Sequence, residues 1–458
     1  METTTDRLAS APIGKLLFAL AIPNIFAQLV NMLYNIVDRI YIGRIPDIGA
    51  DALTGVGVGF PIFMIITAFS SLVGMGGAPQ AAIKLGEGKK DEAEKILGNS
   101  IALLIALSIL LTAVFLIFGR DLLFMFGASH QTIDYAWDYI KIVIIGSVAI
   151  QFALGLNPYI ATQGFAKYSM LTVLIGAVLN IVLDPILIFG FDMGVKGAAI
   201  ATVFSQAVSA VWVMQFLTGK KSTLKIHPKY IRLKKSYVIL IISLGVSPFI
   251  MQSTESLLNI TFNTSLQKYG GDLNVGAMTI TASLMQILML PLMGLTQGAQ
   301  PIISYNFGAN KFDRVKKAFK YLFISSIAYS TIFWIVVQFF PNIFIALFTS
   351  DPSLVEVTTN NMRIYMGVVF MFGAQIACQQ TFIALGQARM SLFLALLRKV
   401  ILLIPLILIL PFFFTNKVFG VLVAEPIADF IAVAVTVIIF FSNFNKILKE
   451  KEMKQQSI

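Results

Sequence analysis

The sequence predicts an all-α polytopic membrane protein with twelve transmembrane helices in two six-helix halves. Three observations predict it: the composition, the recurrence of long apolar runs, and an internal repeat. Of 458 residues, 57% are hydrophobic and 12% charged, and the mean hydropathy is +0.83. A soluble chain of this length would carry about a quarter charged residues. The 38 Phe and 33 Gly suit lipid-facing surface and close helix packing respectively.

Apolar runs place spans near 14–43, 52–80, 96–118, 133–156, 166–190, 196–218, 237–265, 276–303, 319–347, 361–385, 391–414 and 418–443. Each approaches or exceeds the roughly 20 residues that cross a bilayer core. The runs divide the chain into a first half (1–218), a basic interlobe segment (219–236), a second half (237–445) and a tail (446–458). The segment between the halves, "GKKSTLKIHPKYIRLKK", holds seven basic residues and no acid. If it is cytoplasmic, both termini are too. Eight of the 34 Lys and Arg then fall on the outer side, leaving 26 inside, in accord with the positive-inside rule. The expected location is the cell (inner or plasma) membrane, multi-pass. The net charge of +11 is thereby assigned to helix flanks, not to nucleic acid.

The repeat is read from "LVGMGGAPQAAIKLGEG" (72–88) and "LMGLTQGAQPIISYNFG" (292–308). Leu72, Gly74, Gln80, Ile83 and Gly88 meet Leu292, Gly294, Gln300, Ile303 and Gly308. The register persists through Gly49 with Gly270, Gly164 with Gly386, Ser169 with Ser391 and Gly197 with Gly420. Six is an even number of spans, so both halves enter the membrane in the same sense. They should be related by a pseudo-two-fold axis along the membrane normal, with a site between them.

Five acids stand inside apolar spans: Asp38, Asp184, Glu255, Glu425 and Asp429. A charge at the bilayer centre costs on the order of 3 kcal/mol on insertion scales, so such residues usually face a cavity and carry function. Asp184 lies in "NIVLDPILIFG". Asn180 is four residues earlier on the same helical face, about 6 Å along the axis. Pro185 frees the carbonyl of Ile181. Carboxylate, amide and carbonyl suit a proton or a small hard cation; a proline kink held by a local hydrogen bond is the other reading. Asp38 lies about 7 Å inside the end of span 1, where an interfacial ion pair is the alternative. Pro23 offers a bending point in the same span. No nucleophile, metal cluster or catalytic loop stands at useful spacing, which argues against an enzyme. No nucleotide-binding signature supports ATP coupling.

"LYNIVDRIYIG", "NIVLDPILIFG", "KGAAIAT" and "GAQPIISYNFGANKFDR", taken together, resemble the multidrug and toxic compound extrusion (MATE) family over almost the full length. The resemblance implies a V-shaped pair of lobes. It also implies a secondary exporter, acting as a monomer without a cofactor, that exchanges H⁺ or Na⁺ for amphipathic organic cations. It implies one cation or proton site in the first lobe at Asp38, Asn180, Asp184 and Thr202, with Na⁺ as a candidate occupant and Tyr34 and Asn157 in the surrounding network. Relatives that bind sodium in the second lobe pair a span 7 glutamate with a span 10 aspartate. Here Glu255 is present and span 10 has no acid. By the repeat register Glu425 takes the place of Thr202 and Asp429 that of Gln206, a second polar cluster with Gln379 and Gln380 near it. Substrate attraction and support of a kink at Pro426 both remain open for that cluster. A flippase for a lipid-linked substrate would share the architecture. Its anionic cargo calls for a basic cavity, whereas the intramembrane ionisable residues are mostly acids.

Overall fold

The longest continuous helical run, Lys235–Gly308, has 74 residues. Straight, it would extend about 110 Å, more than three times the hydrocarbon thickness of a bilayer. It folds back at Gly271, whose φ of 66° and ψ of −172° lie where a side chain is not tolerated. This break turns one run into two spans.

The computed structural model describes residues 4–349 and 351–456. Among them, nine helices are long and apolar enough to cross a membrane; two bent pairs raise this to eleven. The division at Gly271 brings the number to twelve. We label them α1 Ile13–Gly43, α2 Gly49–Gly86, α3 Lys90–Met125, α4 Ile133–Ile145 continued by Ser147–Thr162, α5 Ala166–Pro185 continued by a π-helical turn Ile186–Gly190, and α6 Gly194–Thr218. The second half has α7 (235–270), α8 (271–308), α9 Phe312–Phe339, α10 Pro352–Tyr365 continued by Phe372–Ala384, α11 Ala388–Phe412 and α12 Lys417–Gln456. The bends in α4 and α10 are 58° and 47°. The chain is a multi-pass membrane protein.

Most helices outrun the apolar stretches read from sequence, because hydropathy reports the hydrocarbon layer and not the helix. Span 9 is the exception: α9 ends at Phe339, and a separate turn, Asn342–Ile345, follows Pro341. Proline removes a backbone donor and disfavours helix in the preceding residue. The tail from 446 continues α12 to Gln456; residues 457 and 458 lie outside the described residues. Both π-helical turns, Ile186–Gly190 and Leu397–Leu403, interrupt spans that carry charged side chains, which is where such bulges concentrate.

The two halves meet along a seam built of glycine. A Cβ on Gly245 of α7 would lie 1.8 Å from the Leu72 carbonyl of α2, and one on Gly294 of α8 would lie 2.6 Å from Ile25 of α1. At the ends of α2 and α8 the contact is reciprocal. A Cβ on Gly86 would fall 2.0 Å from Tyr305 O, and one on Gly308 would fall 2.0 Å from Ile83 O. Residues 83 and 305, and 86 and 308, are each separated by 222 positions, two more than the sequence register that set Ile83 against Ile303 and Gly88 against Gly308. A pair that maps onto itself when the halves are exchanged is the signature of a two-fold axis. These glycines lie toward the end that carries the termini and the interlobe segment. Farther along, Gln28 meets Gln297 at 3.3 Å and Gln252 meets Thr67 at 3.2 Å. One turn beyond Gln252, the mid-span Glu255 side chain is 57% exposed, so the seam opens there.

The interlobe segment is pinned to the first half. The Gln163 side-chain carbonyl accepts from Ser222 Oγ, Thr223 N and Leu224 N at 3.1, 2.7 and 3.0 Å, and Asn99 Oδ1 accepts from Lys234 N at 2.7 Å. The short helix Thr4–Ser10 is strapped by Arg314, which donates to the carbonyls of Leu8 and Ala11 at 3.0 and 2.7 Å. Arg314 thereby satisfies carbonyls that a helix end leaves open.

At the same end Glu87 bridges the halves. It pairs with Lys84 at 2.9 Å and Lys89 at 3.3 Å, and across the seam with Lys451 of α12. Burial pushes its carboxyl up, but Lys451 and Lys84 outweigh burial and hold it at about 2.

Three outcomes are expected. Gly245→Val forces α2 and α7 apart and should cost about 1–3 kcal/mol, read as a lower unfolding temperature in detergent. Gly57→Ala, where a Cβ meets nothing within 4 Å, should leave that temperature unchanged or raised. Glu87→Gln should be less stable than the parent near neutral pH. Because the folded carboxyl sits at about 2 against 4.5 for an ordinary glutamate, the difference should shrink as pH falls below 4.5 and vanish toward 2. A gap that widens on acidification would contradict the bridge.

Candidate functional site

Two intramembrane clusters form, one in each half, and they differ in charge balance. In the first half, Asp38 of α1, Asn180 and Asp184 of α5 and Thr202 of α6 converge. Asn180 Nδ2 donates to Asp184 Oδ1 at 3.2 Å and to Thr202 Oγ1 at 3.3 Å. The four-residue spacing on α5 brings amide and carboxylate together, as the helical period requires. The side chains of Asp38 and Asp184 reach each other at hydrogen-bonding range. All four residues are buried, with Asp184 at 0% exposure.

Three oxygens in this cluster have no partner: Asp38 Oδ1, Asp184 Oδ2 and Asn180 Oδ1. All three are acceptors, and none is bonded to a basic side chain, although Arg39 lies within electrostatic reach of Asp38. Buried polar atoms are almost always paired, so the cluster is set to receive a group that donates or carries positive charge.

The other first-half residues divide. Tyr34, one turn before Asp38, stands within electrostatic reach of both acids. Asn157 lies elsewhere: its amide donates to Ser169 O at 3.2 Å, eleven residues before Asn180 on α5, about 16 Å along the helix. Sequence reasoning missed Tyr139 of α4, which shares a hydrogen bond with Thr202 and lies near both acids. One tyrosine among 13 carries no distinguishing signal. Pro23 sits inside α1, which continues through it, and Asn24 donates to Leu20 O at 2.9 Å beside it. Pro185 ends the regular part of α5 and opens the π turn.

The second-half cluster is an ion-pair network. Arg398 Nε donates to Asp429 Oδ1 at 2.6 Å, and an Arg398 terminal nitrogen donates to Glu425 Oε1 at 2.9 Å. Its guanidinium stacks over Phe372, 4.5 Å from the ring centre. Lys399 pairs with Glu255 and donates to Met251 O at 2.7 Å. Gln379 approaches the Met251 sulfur at 3.3 Å. Sequence reasoning also missed Arg398 and Lys399. Their signal is visible: two bases about ten residues into "ARMSLFLALLRKVILLIPLIL", too deep to be flanking charges. The acids there are therefore not free groups awaiting a substrate.

Among the described residues no group of three or more His, Cys, Asp or Glu side chains is arranged to hold a metal ion. The first-half cluster can accept one proton or one small cation; the second-half cluster already holds two cations of its own.

The MatE family model matches residues 23–186 and 248–409. The multidrug export protein MepA of Staphylococcus haemolyticus (strain JCSC1435) is 26% identical over 422 residues, 92% of each chain. A solved structure of the MATE multidrug transporter DinF-BH, in a ligand complex, is 35% identical, covers 97% of this chain and 98% of its own, and superposes with a TM-score of 0.88. A crystal structure of a MATE protein in the bent conformation superposes at 0.91 over 98% of this chain and 99% of its own, at 22% identity, and shares the fold.

Arg398→Leu should strand Glu425 and Asp429 and destabilise the fold by about 3–5 kcal/mol. Adding Glu425→Gln and Asp429→Asn to Arg398→Leu should recover most of that loss. Thermal unfolding of the single and triple variants checks both statements.

Proposed function

The chain belongs to the MatE family, and on that premise we propose that it is a secondary exporter that exchanges protons for amphipathic organic cations. It is a transporter, not an enzyme. The observation that carries the proton is the meeting of Asp38 and Asp184 in a buried cluster. Two carboxylates at hydrogen-bonding range, shielded from water, cannot both keep their charge; they share a proton. Sodium could use the same free oxygens, Asp38 Oδ1, Asp184 Oδ2 and Asn180 Oδ1, and the two gradients in the test below separate the two ions.

The basic segment and the termini are assigned to the cytoplasm by the positive-inside rule. The seam is then closed inside and open outside, an outward-facing state. A proton from outside is taken up between Asp38 and Asp184 and lowers the pair from two negative charges to one. The cluster then holds a cation more weakly, and α1 rebends at Pro23, where a backbone hydrogen bond is already missing. After the halves rock about the glycine seam, loss of the proton inward restores the negative charge. The next organic cation is drawn from the cytoplasm.

Cation export is favoured over flipping of an anionic lipid. The basic pair in the second half is already neutralised by three carboxylates, so it offers no free positive surface. The relatives named as multidrug exporters support drug export as the activity.

The test is transport in liposomes with a fluorescent organic cation, under a proton gradient alone and a sodium gradient alone. The proton gradient should drive exchange and the sodium gradient should not. Asp184→Asn should lower exchange by roughly tenfold or more with the protein still monodisperse. Full exchange by Asp184→Asn, or drive by sodium alone, would overturn the reading.

A further inference from the structure

The proposed exchange uses the first half only and leaves unexplained the charge balance of the second. Five ionisable side chains sit there within the spans: Glu255 on α7, Arg398 and Lys399 on α11, and Glu425 and Asp429 on α12. Tyr365 of α10 also lies within electrostatic reach of Glu425, Arg398, Asp429 and Glu255. Lys399 balances Glu255. Arg398 faces two carboxylates at once. One negative charge is therefore left over, on side chains only 2% and 1% exposed.

An uncompensated charge at that depth is expensive, on the order of 3 kcal/mol on insertion scales. Arg398 occupies only one oxygen of each acid. Glu425 Oε2 and Asp429 Oδ2 are buried without a partner, and so is Oε1 of Gln375, three residues beyond Phe372 on α10. Gln375 is 3% exposed. The balance calls for one positive charge small enough to need no coordination shell. A metal ion is disfavoured by the guanidinium already between the acids and by the lack of a ligand set among the described residues. A proton needs one free carboxylate oxygen, and two are present. The edge of the cluster is not covered by protein, because Glu255 is 57% exposed at mid-span.

We propose that Glu425 and Asp429, bridged by Arg398, hold one exchangeable proton, so that the protein carries a second coupling site of its own in the second half. The step is a simple protonation: an O–H bond forms on a free carboxylate oxygen, the proton comes from water in the cleft, and it returns to water on release. Arg398 is the positioning residue that keeps the two acids together in either state. The repeat puts Glu425 in register with Thr202 and Asp429 with Gln206, so this site is not a copy of the first-half cluster, whose acids come from α1 and α5. The inference rests on the proton-exchange reading given above.

The experiment counts protons released when tetraphenylphosphonium binds the full-length protein. Calorimetry in buffers of different ionisation enthalpy, between about pH 5 and pH 9, gives the number. The parent should release about two at its maximum, and Glu425→Gln, Asp429→Asn and Asp184→Asn about one each. The amide variants keep an acceptor for Arg398, and the one remaining proton shows that the first half is intact. If Glu425→Gln is misfolded, Asp429→Asn alone decides. Release of as many protons by both α12 variants as by the parent would overturn the second site and leave the first-half reading standing. Parental release by Asp184→Asn, with the α12 variants halved, would overturn the first-half reading instead. A merely structural triad would change stability without changing the count.

Discussion

A carboxylate with no cation beside it, enclosed in an apolar bundle, is the constraint around which this protein is arranged. Asp184 is fully buried and faces Asp38. The surroundings do not neutralise it with a lysine or arginine. They supply an amide and a hydroxyl, Asn180 and Thr202, which orient the group and leave its charge to be settled by an exchangeable partner. A tethered base would make the site permanent. Its absence from the Asp38, Asn180, Asp184 and Thr202 group leaves the acids open to an exchangeable partner, as the proposed exchange requires.

The seam converts that local event into motion. Glycines at 86, 245, 294 and 308 bring backbones to within reach of one another, so the halves touch through smooth surfaces and not through interlocked side chains. Small residues at helix interfaces allow this close approach. The pairing of α1 with α8 and α2 with α7 places each half's first two helices against the other's. A change in α1 at the Asp38 cluster is therefore felt directly across the seam. Glu87 and Lys451 add a polar fastening at the closed end. The Glu87 carboxyl in that fastening is held at about 2, so the proposed proton exchange at Asp38 and Asp184 leaves it untouched.

Much of this is legible in the sequence, for identifiable reasons. A carboxylate in an apolar run is conspicuous, so Asp38, Asp184, Glu255, Glu425 and Asp429 stand out without any structure. Helical spacing joins Asn180 to Asp184 without further help. The duplication is legible from recurring residues, but its register in α2 and α8 is read two residues off, because the seam contacts set Gly86, not Gly88, opposite Gly308. Other features leave no such mark. Arg398 and Lys399 escape notice because basic residues in a membrane chain are read first as flanking charges, and their depth in α11 outweighs that habit only when tested. Tyr139 reaches Thr202 through the packing of α4 on α6, which no spacing reveals. The family resemblance groups Asn157 with the acids, yet it sits three helical turns away beside Ser169. The bend at Gly146 and the stop before Pro341 shift helix ends that hydropathy cannot locate.

The central claim is that Asp38 and Asp184 share a proton that an organic cation displaces. Infrared difference spectroscopy of the protein, with and without tetraphenylphosphonium, observes the carboxylic acid carbonyl stretch directly. The account predicts that ligand binding removes a protonated-carboxyl band and that this loss is absent when both Asp38 and Asp184 are replaced by asparagine. A band that persists unchanged in the ligand-bound protein, or one that is lost equally in the double variant, would contradict it.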